Sequence, residues 1–379
     1  MTDVAASLPG GFPSYYCFCG PPSARAIFVS RLGIDLLRAV FGNVQLVYAN
    51  KAKDLVGQLR EQSSSPVLLY FDFPDPVIAR VVVEKGIPTV LVSEPFEDIV
   101  LYSMAAWGMD LHAAIRFATH SVVALHQIGR SRTINSLQLQ GRDLALTELV
   151  NLLALSLGIE VSTEALQRLI APYDNHQPHR VDEIVRRRIE HAEASFDLRS
   201  KLSSDERQLL AEIASSYQPM TEGRQPEKIS WPGGICLNGD RRDASMSGSV
   251  DMTGPARILS FGPYLHLPAG RWAADMRFFV SGNWSRNMIM MEVTAGSRVL
   301  AVGQSDLPAV GAFSMRIPFS VEEHETPVEV RSVLRNGAIE GDFRLLEIVV
   351  TPDDGQIRRP LQRPGQGSLP GQKTSQSSP

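Results

Sequence analysis

Two carboxylates, Asp72 and Asp75, follow an apolar run, Val67–Phe71 (VLLYF). A serine and an arginine, Ser23 and Arg25, follow another, Tyr15–Cys19 (YYCFC). Carboxylates exchange protons. A Ser–Arg pair at a helix start either holds an anion, where free backbone N–H groups converge, or simply caps the helix. A third group lies far along the chain. Trp284 sits in the polar stretch Ser281-Gly282-Asn283-Trp284-Ser285-Arg286-Asn287. There a flat apolar face is edged by the hydrogen-bonding side chains Asn283 and Arg286. His112, His120 and His126 fall on one helical segment, and the first two can share a face. Each reads as a packing or surface residue. Cys17, Cys19 and Cys236 make no disulfide framework. Cys17 and Cys19 are expected on opposite faces of a strand, and no His or Cys partner stands at zinc spacing, so the thiols read as buried and free and no metal site is expected.

Strands and helices alternate through the first hundred residues. Tyr15–Cys19, Val44–Val47, Val67–Phe71 and Thr89–Val92 read as strands. Ala24–Val40, Lys51–Arg60 and Asp75–Glu84 read as the helices between them. Such alternation implies an α/β fold with a parallel sheet, whose ligands sit at the carboxyl ends of the strands. Those ends are Gly20–Arg25, Asp72–Asp75 and Ser93–Asp98. From Leu101 to Tyr217 the pattern is helical throughout, with Arg180–Leu202 as one helix carrying an apolar stripe. Its basic triplet, Arg186-Arg187-Arg188, reads as a solvated face.

The remainder is β-rich. Arg257–Phe279 reads as a hairpin, turned by Pro268-Ala269-Gly270, with Trp272, Ala274, Met276 and Phe278 alternating inward. Asn287–Thr294, Val299–Val302, Ala312–Phe319, Val328–Leu334 and Phe343–Val350 follow as further strands of an all-β sandwich. The expected organisation is an α/β domain with a helical extension over 1–217, a linker over 218–229, a β-sandwich over 230–352 and a disordered tail over 353–379.

At 379 residues, with 44% hydrophobic and 21% charged residues, the chain is long and apolar enough to bury such cores. A net charge of −4 supplies no basic field, so nucleic acid is not an expected partner. No run reaches membrane-span length and the N-terminus has no signal-peptide pattern, so a cytoplasmic location is expected.

Three segments of the N-terminal part resemble the P-loop sulfotransferases in a divergent form. They are Tyr15–Arg31 (YYCFCGPPSARAIFVSR), Thr89–Ser103 (TVLVSEPFEDIVLYS) and Leu144–Gly158 (LALTELVNLLALSLG). The resemblance implies 3′-phosphoadenylyl sulfate as cofactor, held by Gly20, Ser23, Arg25, Ser93 and Ser103. It also implies a general base near the acceptor hydroxyl, for which Asp72 and Asp75 are placed. Pro21 and Pro22 remove two backbone donors from the loop, and Glu94, Glu97 and Asp98 make the second turn acidic. The C-terminal part resembles the carbohydrate-binding jelly-roll domains of bacterial glycan-modifying enzymes. Phe261–Trp272 (FGPYLHLPAGRW) and Gly341–Pro352 (GDFRLLEIVVTP) carry that likeness. It implies a glycan or polysaccharide intermediate as partner, stacked on Trp284, Tyr264 or Trp272 and held by Asn283, Arg286 and Arg271.

Together the resemblances imply a divergent sulfotransferase-like protein of bacterial surface-polysaccharide metabolism with a glycan-binding sandwich. The alternative is a catalytically inactive P-loop-like scaffold whose sandwich makes the glycan or protein contact.

Overall fold

The computed structural model describes residues 15–59, 65–131, 134–138, 144–173 and 180–353. The expected tail beyond Asp353 and the first fourteen residues lie outside them.

Apolar runs four or five residues long become the strands β1 (Tyr15–Cys19), β2 (Gln45–Tyr48), β3 (Val67–Phe71) and β4 (Thr89–Ser93). The helices α1 (Ala24–Phe41), α2 (Ala52–Leu59) and α3 (Pro76–Glu84) separate them. After β4 come α4 (Phe96–Trp107), α5 (Leu111–Gly129) and β5 (Asn135–Gln138). All five strands pair in parallel in the order β2-β3-β1-β4-β5. The strands in the middle read as continuous apolar runs because helices cover both faces. On one face Tyr16, Phe18, Val90 and Val92 pack with α1, and on the other Cys17, Cys19, Leu69 and Leu91 pack with α3 and α5.

That division corrects the expectation for the cysteines. Cys17 and Cys19 share a face, and their sulfurs lie 3.5 Å apart. Side chains alternate with a period of two, so positions i and i+2 point the same way. All three cysteines are buried and free.

The helical region is α6 (Leu146–Leu157), α7 (Thr163–Ile170), α8 (Val181–Arg188), α9 (Ala192–Lys201) and α10 (Ser204–Thr221). Two expectations are corrected here. Strand β5 interrupts the supposed all-helical stretch. Arg180–Leu202 is two helices, because Ile189 is extended and His191 takes φ 63°. The apolar stripe survives the break, since Val181, Ile184, Val185, Ile189 and Ala192 are buried in one cluster. Of the basic triplet, Arg186 lies over the Phe196 ring and Arg188 donates to the Pro172 carbonyl.

The C-terminal part is a jelly-roll-like sandwich. Its strands are β6 (Ile229–Pro232), β7 (Leu237–Asn238), β8 (Val250–Asp251), β9 (Arg257–Phe261), β10 (Pro263–Leu265) and β11 (Gly270–Ser281). Then follow β12 (Met288–Ala295), β13 (Arg298–Asp306), β14 (Gly311–Val321), β15 (Val328–Leu334) and β16 (Asp342–Pro352). One antiparallel sheet runs β13-β12-β15-β9-β7 with β10 beside β15, and the other runs β14-β11-β16-β6 with β8 beside β16. Arg257–Phe279 is therefore not a hairpin. β9 pairs with β15 while β11 pairs with β14 and β16, so Pro268–Gly270 carries the chain from one sheet to the other. The inward alternation along β11 holds: Trp272, Ala274, Met276, Phe278 and Val280 are all buried.

Residues 218–229 begin inside α10, which runs to Thr221, and end on β6. A single apolar cluster passes from α4 and α5 through Leu210, Ile213 and Tyr217 of α10 into the sandwich core. Tyr217 stacks on Phe96 with ring centroids 5.4 Å apart, accepts from Trp231 Nε1 at 3.3 Å and donates to the His266 carbonyl at 3.0 Å. A fully buried aromatic side chain of this kind contributes roughly 1.5–3 kcal/mol. The α/β part and the sandwich are thus held together by a shared core.

Candidate functional site

At the carboxyl ends of β1 and β4, Arg25 occupies the crevice where a doubly wound sheet takes its ligand. Its own helix starts locally: the Ser23 hydroxyl accepts from the Ala26 N–H at 3.1 Å and caps α1. Gly20 is required by packing, because a Cβ there would stand 2.9 Å from Ala26 Cβ and 3.2 Å from Val92 Cβ. The Arg25 guanidinium meets three carboxylates, one from the turn after β4, one from α4 and one from α8. Nη1 donates to Glu94 Oε2 at 3.0 Å and to Asp98 Oδ2 at 2.8 Å, and Nε donates to Asp182 Oδ1 at 2.7 Å. Nη2 also reaches Asp182 Oδ2 at 3.3 Å.

The charges do not balance, since one guanidinium faces three acids. Burial pushes the Glu94 carboxyl up to about 8, helped by Asp98 and opposed by Arg25. Burial alone would lower the Arg25 pKa, but Asp182 and Glu94 raise it above its ordinary value. Between these groups and Tyr102 and Phe196 remains a cavity of about 70 Å³.

The other residues proposed for the cofactor, and the two aspartates proposed as base, are committed to the fold. Ser93 donates to the Thr221 carbonyl, which ties β4 to the end of α10. Ser103 is fully buried and donates to Ile99 O at 2.8 Å inside its own helix. Asp75 caps α3, accepting from Ile78 N at 2.8 Å and from Ala52 N at 2.7 Å. Asp72 is buried beneath Tyr48 and accepts from its hydroxyl at 3.0 Å and from Asn50 Nδ2 at 2.6 Å. Burial raises the Asp72 pKa, and the bonds from Asn50 and Tyr48 oppose that shift. The Asn50 oxygen holds the Asp72 and Phe73 N–H groups in turn, so this carboxylate is fixed in a closed network.

In the sandwich, the aromatic candidates separate. Trp272 is 1% exposed and donates to the Pro268 carbonyl at 2.9 Å, so it offers no face to a ligand. Tyr264 takes φ 65°, donates to Glu329 Oε1 at 2.9 Å and lies under the Arg116 guanidinium of α5 at 5.3 Å. It joins the two parts of the molecule. Arg271 lies beside Asp353 in an open groove between the edge strands β13 and β14. Trp284 alone stands out, 70% exposed.

The loop that carries it is rigid. Asn283 is fully buried and donates from Nδ2 to Leu307 O at 3.0 Å and to Pro308 O at 3.1 Å. Its Oδ1 accepts from the Asn287 backbone at 3.0 Å and side chain at 2.6 Å. Glu340 Oε1 accepts from Ser285 N at 2.7 Å and Oγ at 2.8 Å. Three loops are thereby clamped into one tip, which also exposes Val310 and Ile339. Arg286 sits at φ 50° inside it. Asn283 therefore positions Trp284 rather than facing a ligand.

Sequence reasoning missed the histidines as a group. His120 of α5 stacks on His266 with ring centroids 4.3 Å apart and lies 6.4 Å from His324. Two loops of the sandwich supply those partners, and no local pattern announces contacts so distant in sequence. Burial holds all three neutral, with His120 pushed down to about 3 and His266 to about 4. Among the described residues no group of three or more His, Cys, Asp or Glu is arranged to hold a metal ion, and no helix is long and apolar enough to cross a membrane.

No family model and no curated protein matches this chain. Solved structures do. The C-terminal CBM6 of LamC, a marine laminarinase from Zobellia galactanivorans, is 15% identical over 33% of this chain and 98% of its own, with a TM-score of 0.23. The CBM36-1 domain of a xylanase from the hindgut metagenome of Trinervitermes trinervoides is 8% identical over 32% and 95%, with a TM-score of 0.22. A Stig cyclase, Fisc, from Fischerella sp. TAU is 15% identical over 34% and 86%, with a TM-score of 0.21. At such scores these likenesses carry no argument about function.

Proposed function

We propose that this is a glycan-binding protein whose sandwich takes a polysaccharide segment on the Trp284 tip, and whose α/β part serves as a scaffold. The observation that carries the reading is the 70% exposure of Trp284 on a loop whose backbone is fixed by the buried Asn283. A large aromatic ring held out to solvent by a rigid loop loses little conformational entropy when a sugar stacks on it. Arg286 beside it supplies polar contacts for hydroxyls. Bacterial surface polysaccharides are the glycan class to try first.

The sulfotransferase reading, with 3′-phosphoadenylyl sulfate as donor and Asp72 or Asp75 as base, draws no support from the crevice. Arg25 faces carboxylates and both aspartates are engaged in local networks. Affinity electrophoresis in gels cast with single polysaccharides tests the proposal. The wild type should be retarded in at least one gel and Trp284→Ala should run freely in it. Equal retardation of both overturns the tip as the platform. Thermal unfolding with adenosine 3′,5′-bisphosphate is the companion measurement, and no shift is expected at millimolar nucleotide. A ligand at about 100 times its Kd would add about 2.7 kcal/mol, so a clear shift would restore the transferase reading.

A further inference from the structure

Stacking a sugar on Trp284 leaves two of its neighbours without a part to play. Val310 is 54% exposed and Ile339 is 82% exposed. The hydrogen bonds of the tip tie both to the tryptophan loop. The Asn283 N–H donates to Ala309 O at 3.0 Å, one residue before Val310. The Ser285 N–H donates to Glu340 Oε1 at 2.7 Å, one residue after Ile339. The backbones also touch: a Cβ on Gly341 would stand 3.5 Å from Asn283 Cα. Trp284 thus stands between two anchored residues, and each anchor holds a loop that carries an exposed aliphatic side chain.

A lone exposed aliphatic residue needs no explanation. Two of them on loops fixed to either side of an aromatic platform make one apolar patch with it, and such patches mark binding sites. The patch bears on what the sugar must carry. A plain hexopyranose has C–H groups for the face of an aromatic ring, but its rim is hydroxyl. A hydroxyl set against valine or isoleucine loses water and gains no hydrogen bond. A methyl group set there is stabilised. Arg286, exposed in the same loop, offers N–H donors and no acceptor. An acetamido substituent answers both features, with a methyl group for the aliphatic side chains and a carbonyl oxygen for Arg286. A 6-deoxy sugar brings the methyl group without the carbonyl, and a uronic acid brings an acceptor without the methyl group.

We propose that the tip selects glycans built with acetamido sugars, Val310 and Ile339 taking the acetyl methyl group beside the ring stacked on Trp284. This rests on the glycan reading of the tip.

Affinity electrophoresis of the full chain tests it with one polymer in two forms, glycol chitosan fully N-acetylated and the same glycol chitosan fully N-formylated. The two share linkage, charge, carbonyl and N–H, and differ by the methyl group. The acetyl form should bind about fourfold more tightly or better, as expected for one buried methyl group. Hydroxyethyl cellulose, with the same linkage and no amide, should bind more weakly than either. Val310→Ser with Ile339→Ser should erase the preference for acetyl over formyl and leave the affinity for the formyl polymer as it was. Both positions are exposed, and circular dichroism checks that the variant is folded. Where an acetamido polysaccharide of another linkage retards the chain, the same exchange of acetyl for formyl is made on it. Equal affinity for the two forms overturns the proposal, as does a preference that survives in the double variant. Retardation only by polymers without acetamido groups also overturns it and leaves the glycan reading standing. No retardation in any gel removes both.

Discussion

The crevice around Arg25 and the tip around Trp284 are built on opposite plans. In the crevice a charged side chain that sequence reasoning would give to a ligand is claimed by the protein itself. Glu94, Asp98 and Asp182 converge on it from the turn after β4, from α4 and from α8. At the tip the protein claims the neighbours, Asn283, Ser285 and Asn287, and leaves the aromatic ring free. The difference teaches that a binding residue is recognised by what its neighbours do for it. A residue type matching a motif says little until its hydrogen bonds have been counted.

The largest expected effect lies in the crevice. Arg25→Ala removes the guanidinium paired with Glu94, whose side chain is 1% exposed, and leaves that carboxyl buried without its partner. Above about pH 8, where Glu94 is ionised, breaking such a pair costs about 3–5 kcal/mol. Asp182, half exposed, should matter far less. Asp182→Asn removes a screened contact of about 0–1 kcal/mol. Denaturant unfolding of both variants checks the ranking, and a mild Arg25→Ala would mean that the cluster is loosely built and open to an outside anion.

The two regions also differ in how they respond to pH. Glu94 is raised in the folded state, so its contribution is complete below its ordinary value of 4.5 and is lost as pH rises through about 8. The histidine cluster runs the other way. His120 and His266 are lowered from 6.5 to about 3 and about 4, so below pH 6.5 the unfolded chain binds more protons and stability falls as pH drops towards 3. His120, His266 and His324 face one another across the contact between α5 and the sandwich, with Lys51, Asp75 and Glu325 nearby. Stability should therefore fall off on both sides of an intermediate pH. His120→Phe should flatten the acid limb and Glu94→Gln the alkaline one, by a few kcal/mol at most, since one pKa unit is about 1.4 kcal/mol. Thermal unfolding across pH 4–9 reads both limbs. Unchanged limbs would remove these groups from the account.

Much of this was legible in the sequence, and the rest was not for identifiable reasons. β1, β3 and β4 are uninterrupted apolar runs, and the alternation along β11 is strict, so these elements stand in the sequence as they do in the fold. β5 (NSLQ) has one buried apolar side chain, Leu137, and takes its shape from pairing with β4. The break at His191 lies inside a continuous apolar stripe, which gives no sign of it. Pairing of β9 with β15 rather than β11 is a long-range choice, made by which strands bury a shared face. In the crevice, the acidic turn after β4 was readable as hostile to phosphate. That Asp182, 157 positions after Arg25, would complete the cluster was not. At the tip, a lone tryptophan among polar residues was a usable signal for Trp284, and the inward alternation along β11 was one for Trp272, which fills the core.

The smallest expected effect on stability, that of Trp284→Ala, belongs to the tip, and its contrast with Asn283→Ala is the sharpest test of the tip's plan. Asn283→Ala leaves the carbonyls of Leu307 and Pro308 and the Asn287 N–H without their partner in a buried place. That should cost about 1–3 kcal/mol and let the three loops separate. Trp284→Ala removes an exposed ring that no buried contact requires, so stability should change by about 0.5 kcal/mol or less. Both variants should lose polysaccharide retention, but for different reasons: one has lost the platform, the other its support. Trp284→Tyr separates these causes, because it restores a smaller face on an intact loop and should recover part of the retention. A stable Asn283→Ala that still binds would show that the platform needs no clamp.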